Sequence, residues 1–236
     1  MKPTIESYKE FQCAFDFFNK KLFGNELPDC LITLQRQKKT FGYFSAQRFT
    51  SFNGEKTDEI AMNPTYFSTC SIVEVMQTLA HEMVHLWQYH YGKPGRGRYH
   101  NKEWAQKMEG IGLMPSSTGE EGGNKTGERI SDYIIDGGQF DKACKKLLDT
   151  KFILSWADSF PDRKTLLENF DGETDEELQA YLDDIGTGLT VDDIAENKNK
   201  STRVKYTCVE CLSHVWGKPE LNILCGDCDI EFITED

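Results

Sequence analysis

Two Cys-x-x-Cys pairs, Cys208–Cys211 and Cys225–Cys228, fall within 21 residues with 13 residues between them. A segment this short cannot bury enough apolar surface to hold itself together, so it folds around a metal or not at all. Two such knuckles supply four thiolates in a closed tetrahedral set, the arrangement of a structural zinc. The other four cysteines, Cys13, Cys30, Cys70 and Cys144, stand singly and are expected to be buried thiols. The N-terminal residues Met1-Lys2-Pro3-Thr4-Ile5-Glu6 carry no apolar signal core, so a cytoplasmic location is expected. A reducing compartment disfavours disulfides and favours metal binding by paired cysteines.

The rest of the 236-residue chain is long enough for one sizeable domain. Ile5, Tyr8, Phe11, Phe15, Phe18 and Leu22 recur at helical spacing and predict one long amphipathic helix. Strands are predicted at 31–35, 41–49 and 59–63. Ser71 followed by Glu74 forms a capping-box pattern that opens a second long helix, from Ile72 to about Tyr91. A Gly/Pro loop at 92–98 leads to a shorter helix from about Asn101 to Met108. Residues 115–127 read as a long polar loop. Strands at 130–135 and 152–156 flank a helix at 139–148. No apolar run approaches the roughly 18 residues of a membrane span, and no membrane association is expected.

Inside the second long helix stands His81-Glu82-Met83-Val84-His85. Residues four apart on a helix differ by about 40° around the axis, so His81 and His85 share a face and can hold one ion. Glu82, about 100° round, can reach a water on that ion and act as general base. A catalytic zinc needs a third protein ligand and an open position. Of the five histidines, His90 lies about 140° round from His85, and His214 belongs to the cysteine-rich segment. His100 remains, at the start of the shorter helix, with Glu103 as the rival third ligand.

The helix motif, His100 in a His-x-x-x-aromatic setting with Trp104, and the terminal four-cysteine unit together resemble the SprT-like metalloproteases, which include the DNA–protein crosslink protease Spartan. The resemblance implies an α+β fold. It comprises a zincin-like protease domain with a small mixed sheet beside its active-site helix, followed by a small C-terminal zinc ribbon. It implies that His81, His85 and His100 bind a catalytic zinc, that Glu82 is the catalytic acid/base, and that Cys208, Cys211, Cys225 and Cys228 bind a structural zinc. It also points to protein substrates, among them proteins associated with DNA. The expected domains are 1–156 for the protease, 157–203 for an acidic linker or loosely ordered region, and 204–236 for the ribbon.

Net charge is −12 and unevenly spread. Residues 1–150 carry 19 acidic and 19 basic side chains, whereas residues 208–236 carry seven acidic side chains and one lysine. That balance argues against DNA binding by the ribbon, although Tyr206 and Trp216 could stack on bases. The better basic cluster for DNA is Lys93, Arg96, Arg98 and Lys102, beside the histidines. Two other functions stay open: a non-catalytic zinc module that contacts nucleic acid or a transcription or repair complex, and a zinc hydrolase of small amides. Arg129 and Tyr133, after the glycine-rich loop, are candidates to assist an oxyanion.

Overall fold

Two long helices organise the N-terminal part of the chain, and each is set by the pattern that predicts it. We describe a computed structural model, covering residues 2–158, 174–184 and 203–234 together with 167, 170, 172 and 190–192. The chain divides into two units, Met1–Leu189 and Thr190–Asp236. Helix α1 (Pro3–Leu22) buries Phe11, Phe15, Phe18 and Leu22. Ile5 and Tyr8, on the same stripe but in the first turns, stay exposed. Asn19 ties off the helix end by bonding both the N–H and the C=O of Leu27.

Helix α2 (Ile72–Tyr91) opens with the expected capping box: Ser71 accepts from the Glu74 N–H, and the Glu74 carboxylate accepts from the Ser71 N–H at 2.7 Å. This satisfies two of the backbone donors that a helix start leaves orphaned. Replacing Ser71 by Ala is expected to cost about 1 kcal/mol, read as a lower denaturant midpoint with an unchanged slope.

A three-stranded sheet lies against α2. Its order is β1 (Leu31–Leu34), β3 (Lys56–Met62), β2 (Gly42–Thr50). β1 runs parallel to β3 and β2 antiparallel, so the sheet is mixed, and β2 is an edge strand. The β2 register shifts between Ser45 and Phe49, and Gln47 takes a φ of 49°. Asp58 pins that bulge by accepting from the Gln47 N–H at 2.7 Å, and its other oxygen bonds His90 Nε2 at 2.6 Å. His90 therefore points away from the other α2 histidines, as its helical position dictates. At Gly42 a Cβ would meet the Ala61 carbonyl at 3.0 Å, Thr78 at 3.0 Å and the Glu82 side chain at 3.4 Å. The strand reaches α2 because that position has no side chain.

Helix α3 (Lys102–Ile111) is capped by Asn101, whose side chain accepts from the Trp104 N–H. It ends at Gly112, where φ is 92° and a Cβ would strike the backbone of Gln139 and Phe140. The chain turns there into β4 (Leu113–Ser116), which pairs with β5 (Ser131–Ile134). β4 overlaps the start of the segment expected to be a loop. Its Pro115 is tolerated because a two-stranded ribbon leaves one backbone edge without ladder bonds. Helix α4 (Gln139–Leu148) closes the core with Phe140 and Leu147.

No strand forms at 152–156. Those residues run along α1, where Glu10 accepts from the Ser155 N–H and Glu6 from the Trp156 indole N–H. A further helix, α5 (Asp175–Asp184), stands within the acidic stretch and buries Leu178 and Leu182.

The second unit contains an antiparallel sheet in the order β7 (His214–Gly217), β6 (Val204–Thr207), β8 (Ile233–Thr234). β8 is only two residues long. The architecture is α+β: helices with small sheets, and a cysteine cluster near the C-terminus. Among the described residues no helix is long and apolar enough to cross a membrane.

Candidate metal centres

Three histidines from two elements converge on one point. His81 and His85 come from consecutive turns of α2, and His100 lies just before α3. One ring nitrogen of each falls within 4.8 Å of the others. The contacts behind them decide which nitrogen faces inward. His81 Nδ1 bonds Asp132 Oδ1 at 2.8 Å, and His100 Nδ1 bonds the Gly127 carbonyl at 3.1 Å. Both acceptors lack a proton to give, so each Nδ1 carries the hydrogen and each Nε2 keeps its lone pair.

His85 Nε2 and His100 Nε2 then lie 3.1 Å apart. Two imidazoles bound to one zinc at about 2.0–2.1 Å would place their nitrogens close to this separation. The residues present therefore fit a metal held by three imidazoles. Glu103 is not part of the cluster: its carboxylate accepts from the Gln88 side chain and the Lys93 N–H, fastening the 92–99 loop to the end of α2.

Trp104 is the floor beneath these rings. Its indole stacks on His85 at 5.2 Å between centroids and meets His81 and His100 edge-on at 4.9 and 4.4 Å. It is fully buried, and its Nε1 has no hydrogen-bond partner among the described residues.

The electrostatics divide the site. Burial pushes His85 well below the usual imidazole range, reinforced by His81 and His100. Burial and His81 likewise bring His100 down to about 4. Both are neutral at ordinary pH, as metal ligands must be. Burial works against the charged form of His81 too, but the Asp132 bond and the negative charges of Glu82 and Asp132 outweigh it and hold His81 above the usual value. Glu82 is raised to about 7, chiefly by burial and further by Asp132, against the opposing pull of His81 and a Phe44 backbone N–H bond. A carboxyl so placed can both take up and give back a proton near neutrality.

Asp132 is the residue the sequence reading misses. It is buried on β5, bonds His81, and is itself held by Gln77, whose Nε2 donates to both its side-chain and backbone oxygens at 2.8 Å. A carboxylate behind a metal-binding histidine fixes the tautomer and raises ligand basicity. Asp132→Asn is expected to weaken zinc binding by about 10–100-fold, read by competition with a chromophoric chelator. An unchanged affinity would remove Asp132 from this role. The neighbouring Arg129 and Tyr133 make no hydrogen bond to the histidine cluster among the described residues. Lys93, Arg96, Arg98 and Lys102 are all exposed.

The four ribbon cysteines form the second cluster, with sulfur atoms within 4.8 Å of one another and Cys211 Sγ 3.7 Å from Cys225 Sγ. Zn–S bonds of about 2.3 Å in a tetrahedron give nearly that sulfur–sulfur spacing, so this set fits zinc as well. Bonding to Ser213 pulls the Cys211 thiol down to about 6, toward the thiolate a metal requires. Of the two aromatic residues considered for stacking, Tyr206 is buried. Its hydroxyl donates to the Lys218 carbonyl and accepts from the Leu221 N–H, so it is not available to a base. Trp216 is exposed.

An α+β unit with a three-histidine cluster, two of the three on one helix and the third just before the next, followed by a four-cysteine unit, defines a protein built around two candidate zinc sites. The SprT-like family matches residues 11–121, a span that includes all three histidines and Glu82. A Salmonella typhimurium protein, described as an uncharacterized protein in the mucB 3′ region, is 61% identical over 59 residues, which is 25% of this chain and 80% of that relative. No solved structure matches. The chain belongs to the SprT-like family.

Proposed function

We propose that this chain is a cytoplasmic zinc metalloendopeptidase of the His-Glu-x-x-His type, acting on protein substrates, with DNA-associated proteins as the class to test first. The zincin-like catalytic domain is assigned to 1–156, the ribbon to 204–236, and the acidic 157–203 region to the connection between them. The observation that carries the reading is Glu82. It is a buried carboxyl raised to about 7 and stands between two histidines whose ligand atoms meet that of His100.

His81, His85 and His100 would hold a catalytic zinc, and Cys208, Cys211, Cys225 and Cys228 a structural one. When bound, the catalytic ion polarises the scissile carbonyl and lowers the pKa of a water to about 7. The chain's own groups do the rest. The Glu82 carboxylate receives the attacking water's proton and returns it to the leaving amine nitrogen. The Phe44 N–H bond holds that carboxylate toward β2, where the lack of a side chain at Gly42 leaves it room. Asp132 and Gln77 keep His81 oriented. Trp104 excludes water from beneath the rings.

The test is cleavage of a purified DNA-binding protein by the zinc-loaded chain, with and without single-stranded DNA. Cleavage that requires DNA supports the DNA-coupled reading and directs attention to Lys93, Arg96, Arg98 and Lys102. Cleavage that ignores DNA leaves a general endopeptidase. With two zinc ions bound and no cleavage of any protein offered, the peptidase reading fails and a binding module takes its place.

A further inference from the structure

In the ribbon sheet, residues directly opposite one another share a face. Tyr206 pairs with Val215, and Val204 with Gly217; Leu221 closes over Gly217 and donates its N–H to the Tyr206 hydroxyl, so that face is filled. The opposite face is made by Trp216, opposite Lys205, and by His214 and Ile233, which both stand opposite Thr207. Trp216 is 62% exposed and Ile233 51%. Of the 18 large exposed hydrophobic side chains among the described residues, seven lie between Val209 and Ile233. Two of the seven, Val215 and Leu221, belong to the face that Leu221 covers; Trp216 and Ile233 give the other face its apolar surface, the kind of patch that marks an interaction site.

The charge around it defines the partner. Residues 203–236 carry seven carboxylates against three cations, Arg203, Lys205 and Lys218, and Glu210, Glu220, Asp227, Asp229 and Glu231 are exposed. Four thiolates on one Zn²⁺ would add a net negative charge at the same end. A polyanion is repelled by this surface, whereas a cationic chain is attracted. Among the described residues β7 is the outer strand of its sheet, so its far backbone edge can accept another strand.

We propose that the ribbon is a docking module for an extended polypeptide that alternates basic and apolar residues. The segment adds as a strand to the free edge of β7, placing its apolar side chains beside Trp216 and its cations toward the ribbon's carboxylates. This goes beyond the peptidase reading and does not depend on it, because it concerns the second unit alone.

The test uses the full zinc-loaded chain with fluorotryptophan incorporated. The chain has four tryptophans, and Trp216→Phe assigns the ribbon resonance. Three probes are added in turn: a peptide of about six residues alternating lysine with valine, the same peptide with glutamate for lysine, and single-stranded DNA. The expected result is a saturable shift of the Trp216 signal by the lysine peptide alone. The shift should weaken with rising salt, and severalfold in a Glu210→Gln, Glu231→Gln double variant. Any of four results overturns the proposal: an equal response to both peptides, a shift with DNA and not with the lysine peptide, a shift with protein concentration alone (which would indicate a second copy on this face), or no response to the lysine peptide.

Discussion

Glu82→Gln is expected to leave zinc bound at the histidine cluster and to lower peptide-bond cleavage by about 10²–10⁴-fold, the usual range for loss of a positioned general acid–base. The substitution is nearly isosteric. The amide oxygen can still accept from the Phe44 N–H, and the side chain still has the space that the missing Cβ at Gly42 leaves. The three histidines are untouched, and the bonds behind two of them run to Asp132 and Gly127, not to Glu82. Only the ability to accept and return a proton is lost. Cleavage and zinc content must be measured on the same samples. Full activity in the variant would sink the proposed mechanism. Loss of zinc together with activity would show that Glu82 holds the site together rather than serving the reaction.

The second large effect is in the other unit. Cys225→Ser, or stripping of zinc by a chelator, is expected to unfold the segment around residues 203–234 while α1–α4 remain folded. Among the described residues of the second unit, the buried apolar side chains are Tyr206, Cys208 and Cys225, so the interior of the ribbon consists largely of its own thiols. Zinc binding in small units of this kind supplies about 10–16 kcal/mol at neutral pH, which is folding free energy when no other core exists. Amide spectra would show it directly: collapse of the β6–β8 resonances into the random-coil region, with those of α2 and α3 unchanged. Retention of the β6–β7 pairing without metal would mean that the thiols pack as an ordinary apolar core.

Local pattern carried far in this chain. The capping box at Ser71 and Glu74, the α1 stripe from Phe11 to Leu22 and the span of α4 are visible in the residues themselves and appear in the structure as read, whereas Ile5 and Tyr8 of the same stripe stay exposed. The histidine cluster was also legible, because two of its members are four residues apart on a helix and few histidines compete for the third place. Pairings between distant segments were not. Residues 152–156 look strand-like in composition but pair with no strand among the described residues; Ser155 and Trp156 bond Glu10 and Glu6 instead. β4 was hidden because Pro115 and the glycine-rich segment after it obscure its pairing with β5. Asp132 had no signal at all. It is one of many acidic residues, 51 positions from His81, and only the folding of β5 against α2 brings them together. Tyr206 shows the converse error: an aromatic residue in a short strand looks available for stacking until the partners of its hydroxyl are known.

The backbone around His100 has one further consequence. His100 and Gly127 exchange two backbone hydrogen bonds, at 2.7 and 3.1 Å, and the His100 ring bonds the same Gly127 carbonyl. Two surface loops, one before His100 and one before Gly127, are thereby stapled together at the very residue that completes the ligand set. Peeling the second loop away removes the acceptor that orients the His100 ring, and seating a cation on that ring pulls the loop back. Loop opening and metal release are thus two sides of one thermodynamic cycle: whatever free energy the ion contributes to holding His100 in place also resists lifting of the loop at Gly127.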